Sequence, residues 1–211
     1  MIKLVPTILT GSEEEFFSKL DKLEFCDWIQ VDFMDGKFVP SKSVDISKVP
    51  SFKSSKKKWE AHLMVEDPES YITILKNKGF EKIIFHFESV PKDKIRSLTK
   101  KIMFEGLESV LAINPETSID DIKEFRGLFA TILFLGVNPG KEGQEFQEHI
   151  IDKIKELKSL DDKILVQVDG GVNKEVAKKL KGLVDIVNSG SYISSSDEPL
   201  KRYKELLDVL K

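Results

Sequence analysis

The sequence predicts an α/β protein, a single (β/α)8 or TIM barrel over residues 1–211, from three observations. Eight short apolar, β-branched stretches recur along the chain, and segments with helical spacing separate them. The length of 211 residues suits one barrel, a fold of roughly 200–250 residues, and is short for two domains.

The first strand is read over Lys3 to Leu9, and Phe16, Phe17, Leu20 and Leu23 form the helical face after it, opened by Ser12 and Glu15 as a capping box. The second strand covers Trp28 to Asp32. The crossover that follows, residues 40–58, supports no more than a short helix around Ile46 to Val49 and is otherwise loop. The third strand, Trp59 to Met64, leads to Asp67-Pro68, a cap before a first-turn proline. Lys82 to Phe87 is the fourth, followed by the face Ile95, Leu98, Ile102; Ser109 to Ile113 is the fifth. Thr131 to Val137 is the sixth, with Ile150, Ile151, Ile154 and Leu157 behind it. Ile164 to Val168 is the seventh, and Asn173 precedes the Val176, Ala177, Leu180 face. Asp185 to Ser189 is the eighth, and Leu200, Tyr203, Leu206 and Leu210 close the chain.

Strands alternating with helices call for parallel β/α units, and a closed barrel accommodates eight of them most economically. A doubly wound open sheet is the alternative, but no G-x-G-x-x-G follows the first strand and no Walker lysine loop occurs. A net charge of −3 supplies no field for nucleic acid, and no apolar run approaches the ~20 residues of a membrane span. The run Lys53 to Lys58 reads as a solvated loop. The one cysteine, Cys26, cannot form an internal disulfide and is expected to be a buried structural thiol, in keeping with the cytoplasm.

In a parallel barrel the C-terminal strand ends converge on one mouth, so polar residues there are the functional candidates. In order they are Thr7, Gln30 and Asp32, His62 and Met64, His86, Asn114, Asn138, Asp169, and Ser189 to Ser191. Asp32 and Asp169 can flank a substrate and exchange a proton at one carbon from two faces, inverting it; the plainer reading is that each caps a turn. His62 can add an imidazole to a divalent metal beside them, or be a hydrogen-bonded core histidine. His86 is read as structural or supporting, His149 as surface. Glycine turns at Pro139 to Gln144, at Asp169-Gly170-Gly171 and at Ser189-Gly190-Ser191 suit a phosphate held by backbone amides.

Seven stretches, in order over nearly the whole chain, resemble the ribulose-phosphate 3-epimerase family. They are V-P-T-I-L (5–9), D-W-I-Q-V-D-F-M-D-G-K-F-V-P (27–40), H-L-M-V-E-D-P (62–68), I-N-P-E-T (113–117), V-N-P-G-K-E-G-Q (137–144), V-D-G-G-V (168–172) and S-G-S (189–191). The resemblance implies interconversion of ribulose 5-phosphate and xylulose 5-phosphate by proton transfer at C3. It also implies a divalent metal (zinc, iron, manganese or cobalt) and a homo-oligomer. Residue by residue, Asp32 and Asp169 match the acid/base aspartates, which are also metal ligands, and His62 matches a metal histidine. Met34 and Met64 match methionines at the reacting centre. Gly143, Gly170, Gly171, Gly190 and Ser191 match phosphate and substrate contacts.

The chain departs from the pattern in four places. Gln30 replaces the other metal histidine, and an amide oxygen is a weaker ligand than imidazole. Thr7 replaces a serine and keeps its hydroxyl; Leu135 replaces a methionine and keeps its apolar surface. G-K-E-G-Q replaces G-F-G-G-Q, so Glu142 brings a carboxylate to the phosphate turn unless it faces solvent, and Lys141 is placed to offset it or to touch the phosphate. Two alternatives therefore stand beside the epimerase: a non-catalytic barrel that binds a phosphorylated ligand, and a 3-epimerase of another ketose phosphate.

Overall fold

The eight strands form where the periodicity places them. In the computed structural model, which describes residues 2–211, they are β1 (Lys3–Ile8), β2 (Trp28–Met34), β3 (Lys58–Met64), β4 (Lys82–His86), β5 (Glu108–Ile113), β6 (Thr131–Leu135), β7 (Leu165–Asp169) and β8 (Ile186–Ser189). Each pairs in parallel with the next, and β8 returns to β1, so the sheet closes into a (β/α)8 barrel rather than remaining open. The helices are α1 (Glu13–Asp21), α2 (Ile72–Lys78), α3 (Lys92–Phe104), α4 (Ile119–Ile122), α5 (Ile150–Leu160), α6 (Lys174–Leu180), α7 (Ser191–Ser194) and α8 (Pro199–Leu210). No helix among the described residues is long and apolar enough to cross a membrane.

The β2–β3 crossover contains only a 3-10 turn, Ile46–Lys48. Buried Val44, Val49 and Phe52 fill the place of a helix, with Phe52 stacked on Trp59 at 3.6 Å between ring centroids. The basic run is not wholly solvated, since Lys57 donates to the carbonyls of Leu23, Glu24 and Cys26 and so satisfies acceptors just beyond α1. Cys26 is buried, and burial pushes its thiol up to about 12, which leaves it inert.

The caps follow the sequence in part. Asn173 accepts from the backbone N–H groups of Glu175 and Val176 and opens α6. Ser12 accepts from the Glu15 N–H, but the Glu15 carboxylate accepts from the Thr10 hydroxyl and pairs with Lys19, so the box stays half closed. Asp67 makes no side-chain cap bond; the segment starts as a 3-10 turn on Pro68. A full box, Ser118 with Asp121, opens the one-turn α4, which the periodicity did not reveal. Asn173→Ala is expected to cost about 1 kcal/mol, read as a lower urea midpoint at unchanged slope.

Two shells of apolar side chains result. The outer shell packs helix faces against the strands: Phe16 of α1, Ile95, Leu98 and Ile102 of α3, and Ile150, Ile154 and Leu157 of α5 are all buried in it. Phe17 and Leu200, placed on helix faces by spacing, are instead 40% and 43% exposed, because the stripe facing the barrel is narrower than the apolar set. Inside the barrel, alternate residues point to the axis. On β4 to β6 these include an apolar cluster, Ile84, Val110, Ala112, Leu133 and Leu135, with buried Lys82 and His86 on the same face at the two ends of β4. The other strands contribute buried Thr7, Gln30, Asp32, Glu60, His62, Gln167, Asp169 and Asn188. At mid-height the barrel interior is apolar on the β4–β6 side and polar on the other, and Lys82 below and His86 above join the polar side.

Candidate active site

Parallel register brings the functional candidates level with one another. Thr7 lies opposite Gln30, Asp32 opposite His62, Met34 opposite Met64, and Leu135 opposite Asp169. The pleat then stacks a lower polar layer, Gln30, Glu60 and Gln167, two residues before an upper one, Asp32, His62 and Asp169.

Gln30 joins the two layers. Its Nε2 donates to Asp32 Oδ1 at 2.8 Å and to Asp169 Oδ2 at 2.5 Å, while its Oε1 accepts from Asn188 Nδ2 at 2.8 Å. The lower network fixes this direction. Lys82 Nζ lies 3.4 Å from Glu60 Oε2, and Glu60 Oε1 accepts from both Gln167 Nε2 and Asn188 Nδ2. Both amides must turn nitrogen toward that carboxylate, so Asn188 offers a hydrogen to Gln30 and Gln30 must answer with oxygen. The amide nitrogen of Gln30 is thereby left for the two aspartates. Asp32 and Asp169 are thus held inside the barrel and do not serve as helix caps; the turn after β2 is pinned by Asp35, which accepts from the N–H groups of Lys37, Phe38 and Glu66.

The upper layer continues through histidines. His62 Nδ1 lies 3.2 Å from Asp32 Oδ1 and 3.6 Å from Asp169 Oδ2, and its Nε2 lies 2.9 Å from His86 Nε2. His86 Nδ1 faces Glu88 Oε2 at 3.3 Å. Burial drives His86 below the usual imidazole range, partly offset by Glu88, so His86 is neutral with its hydrogen on Nδ1 toward the carboxylate. Its Nε2 therefore accepts, and His62 donates from Nε2. His62 Nδ1 then turns either a lone pair or a second hydrogen toward the aspartates. Burial pulls His62 down, but the bond to Asp32 and the charges of both aspartates and Glu60 outweigh it and raise its pKa. Asp169 is pushed up to about 7, chiefly by burial and then by the Asp32 charge, against the pull of His62, Gln30 and the Gly170 N–H.

Asp32, His62 and Asp169 offer one ligand atom each, all within 4.8 Å of one another. Two carboxylates and an imidazole whose far nitrogen is fixed by a second histidine fit a divalent cation. Gln30 is the exception in the expected donor set, since it presents nitrogen hydrogens where an oxygen ligand would be needed. The fitting set is the three. Gln30→His is expected to tighten zinc binding by roughly 10–100-fold, measured as the dissociation constant by titration against a competing chelator.

A cavity of about 600 Å³ opens above this layer. Its lining includes Thr7, Asp32, His62, Met64, Leu135 and Asp169, and the glycine turns at 143, 170, 171 and 190 with Ser191. Gly171 permits a close approach of loops, because a Cβ there would stand 2.8 Å from the Phe146 backbone nitrogen. Gln30 lies fully buried beneath the cavity. Met34 stands to one side, packed with Val39 and Met64. His149 is exposed at the start of α5, bonded to the Pro115 carbonyl; Asn138 lines the same cavity as the aspartates, and Asn114 stands beside His86 and donates its backbone N–H to Glu88.

Of the two placements open to Glu142, the inward one holds: its side chain lies 3.3 Å from Lys19 of α1 and against Gly190, so Lys19 and not Lys141 answers its charge. Sequence reasoning also missed Glu60, Lys82, Gln167, Asn188 and Glu88. The available signal was a polar residue at an inward position of an otherwise apolar strand, as in W-E-A-H-L-M and V-Q-V-D.

Comparisons with known proteins identify the family and agree with the fold. Residues 3–194 match the model of the ribulose-phosphate 3 epimerase family. The ribulose-phosphate 3-epimerase of Bacillus subtilis is 29% identical over 98% of this chain and 98% of its own. That of Chlamydia trachomatis is 31% identical over 86% of this chain and 80% of its own. Among solved structures, 3-hexulose-6-phosphate synthase from Salmonella typhimurium superposes with a TM-score of 0.74 at 16% identity, covering 99% of this chain and 98% of that one, a likeness of fold alone. With the barrel, the aspartate pair and the family match in hand, the chain belongs to the ribulose-phosphate 3-epimerase family of carbohydrate isomerases.

Proposed function

We propose that this chain, acting as one domain over residues 1–211, interconverts ribulose 5-phosphate and xylulose 5-phosphate by moving a proton at C3. The observation that carries the reading is the pair Asp32 and Asp169, both buried, both lining one cavity, and both held by a single amide. One carboxylate removes the C3 proton, and the C–H electron pair passes into the C2 carbonyl to give an enediolate. The other, protonated, returns a proton to the opposite face, and the pair has then exchanged protonation states. The raised Asp169 favours such unequal protonation near neutrality.

A divalent cation (zinc, iron, manganese or cobalt) bound to Asp32, His62 and Asp169 would supply charge stabilisation to the enediolate oxygens. The residues themselves do the rest. Gln30 holds both carboxyl groups in place, Thr7, Met64 and Leu135 shape the floor, Met34 backs Met64, and the turns at Gly143, Gly170, Gly171, Gly190 and Ser191 receive the phosphate. The same reading includes a homo-oligomer, checked by sedimentation.

The test is epimerisation of ribulose 5-phosphate, compared with other ketose phosphates, by protein supplied with each metal. A ribulose 5-phosphate kcat/KM at least tenfold above the others supports the reading. Preference for another ketose phosphate would assign the same chemistry to that sugar. The inverted amide of Gln30 favours one further reading, a binding barrel; it is supported if sugar phosphate binds but neither wild type nor Gln30→His turns over any of them.

A further inference from the structure

Glu142 holds an unusual position. Its Oε2 pairs with Lys19 Nζ at 3.3 Å, while its Oε1 is buried without a hydrogen-bond partner, 3.1 Å from where a Cβ on Gly190 would stand. Lys19, in turn, is itself buried, anchored by the Leu9 carbonyl at 2.6 Å and by Glu15 at 3.3 Å. The carboxylate therefore bridges an ammonium on one side of the mouth and the Gly190 turn on the other. The Glu142 carboxylate is held there by a single charge contact, with its second oxygen unsatisfied.

We infer that Lys19 is a phosphate-binding residue masked by Glu142, whose carboxylate occupies the place of the substrate's phosphate and is displaced by it. This rests on the proposed function only in taking the glycine turns as the phosphate end of the cavity. A phosphate dianion attracts the Lys19 ammonium more strongly than a carboxylate does, and it can also use the backbone donors at Gly171, Gly190 and Ser191 that a carboxylate fixed on residue 142 leaves unused. The turn can release its side chain: Gly140 and Gly143 flank residue 142 with φ of 117° and 77°, so the chain rotates on both sides of it at little steric cost. Burial already pushes the Glu142 carboxyl upward, opposed by Lys19, as expected of a carboxylate in a poor site. The same arrangement makes Glu142 a selectivity element, since a ligand without an anionic end has nothing with which to dislodge it.

The test uses inorganic phosphate on the full chain, so it does not depend on turnover. Dissociation constants are measured by 31P line broadening for wild type, Lys19→Met, Lys19→Arg and Glu142→Gln, with circular dichroism to establish folding. Lys19→Met should weaken phosphate roughly 10–100-fold, Lys19→Arg should restore most of the loss, and Glu142→Gln should tighten phosphate about tenfold. Unchanged phosphate affinity in folded Lys19→Met, or weaker binding in Glu142→Gln, overturns the inference. Should Lys19→Met not fold, the Lys19 15Nζ resonance of wild type decides it: it shifts on phosphate saturation if the ammonium takes up the phosphate, and stays in place if Lys19 is merely structural. Failure of the epimerase reading would appear separately, as phosphate binding that follows this pattern without turnover of any ketose phosphate.

Discussion

Asp169→Asn is expected to lower C3 epimerisation by 10²–10⁴-fold, the usual contribution of a positioned acid or base, while making the protein more stable. The two effects have one cause. Burial and the neighbouring Asp32 raise the Asp169 carboxyl to about 7, whereas in the unfolded chain it titrates near 3.9. The folded value lies above the unfolded one, so ionisation opposes folding. The penalty is absent below about pH 4, grows as pH rises, and is complete above about pH 7. Asparagine does not titrate. In chelated protein at pH 8 the variant should therefore gain on the order of 4 kcal/mol over wild type, and at pH 4 most of the gain should vanish. Thermal melts across that range check it. A variant both inactive and less stable at pH 8 would instead make Asp169 a structural carboxylate.

Lys82→Met is expected to destabilise the barrel by about 3–5 kcal/mol, although it adds apolar bulk to the interior. Lys82 and Glu60 are 1% and 0% exposed, and the ammonium lies 3.4 Å from Glu60 and 3.5 Å from Glu108. Removing it strands a carboxylate in low dielectric. The paired change Glu60→Met with Lys82→Met should recover more than half of the loss, because neither charge then needs a partner. That double variant carries a second consequence. Without Glu60 the Asn188 amide is held by Gln167 alone, so a cation at the aspartates, which takes over the carboxylate oxygens that Gln30 Nε2 now serves, can turn the Gln30 amide more readily and draw its oxygen inward. Zinc should bind the double variant more tightly than wild type. Urea unfolding and a chelator competition together separate the two effects.

The strands were legible because parallel strands buried on both faces read as apolar runs, and the site because its members stand where those runs end. Asp32, His62 and Asp169 could be placed from that alone. What could not be read depends on closure. Gln167 meets Glu60 across 107 positions and Asn188 meets it across 128, so the network that turns the Gln30 amide exists only once β7 and β8 have come round to β3. The direction of Glu142 depends on the backbone of a short turn and on a lysine of α1, 123 positions away. α4 was a different case: its Ser118 and Asp121 box is visible in the sequence, but one helical turn leaves no periodicity to find.

The most direct measurement is deuterium incorporation at C3 of ribulose 5-phosphate in heavy water, followed by proton NMR with metal supplied, for wild type, Asp32→Asn and Asp169→Asn. Two aspartates acting on one carbon predict rapid exchange and conversion to xylulose 5-phosphate in wild type, and loss of both by at least 10²-fold in each folded variant. Wild-type rates of exchange and conversion in either variant would contradict the two-aspartate account.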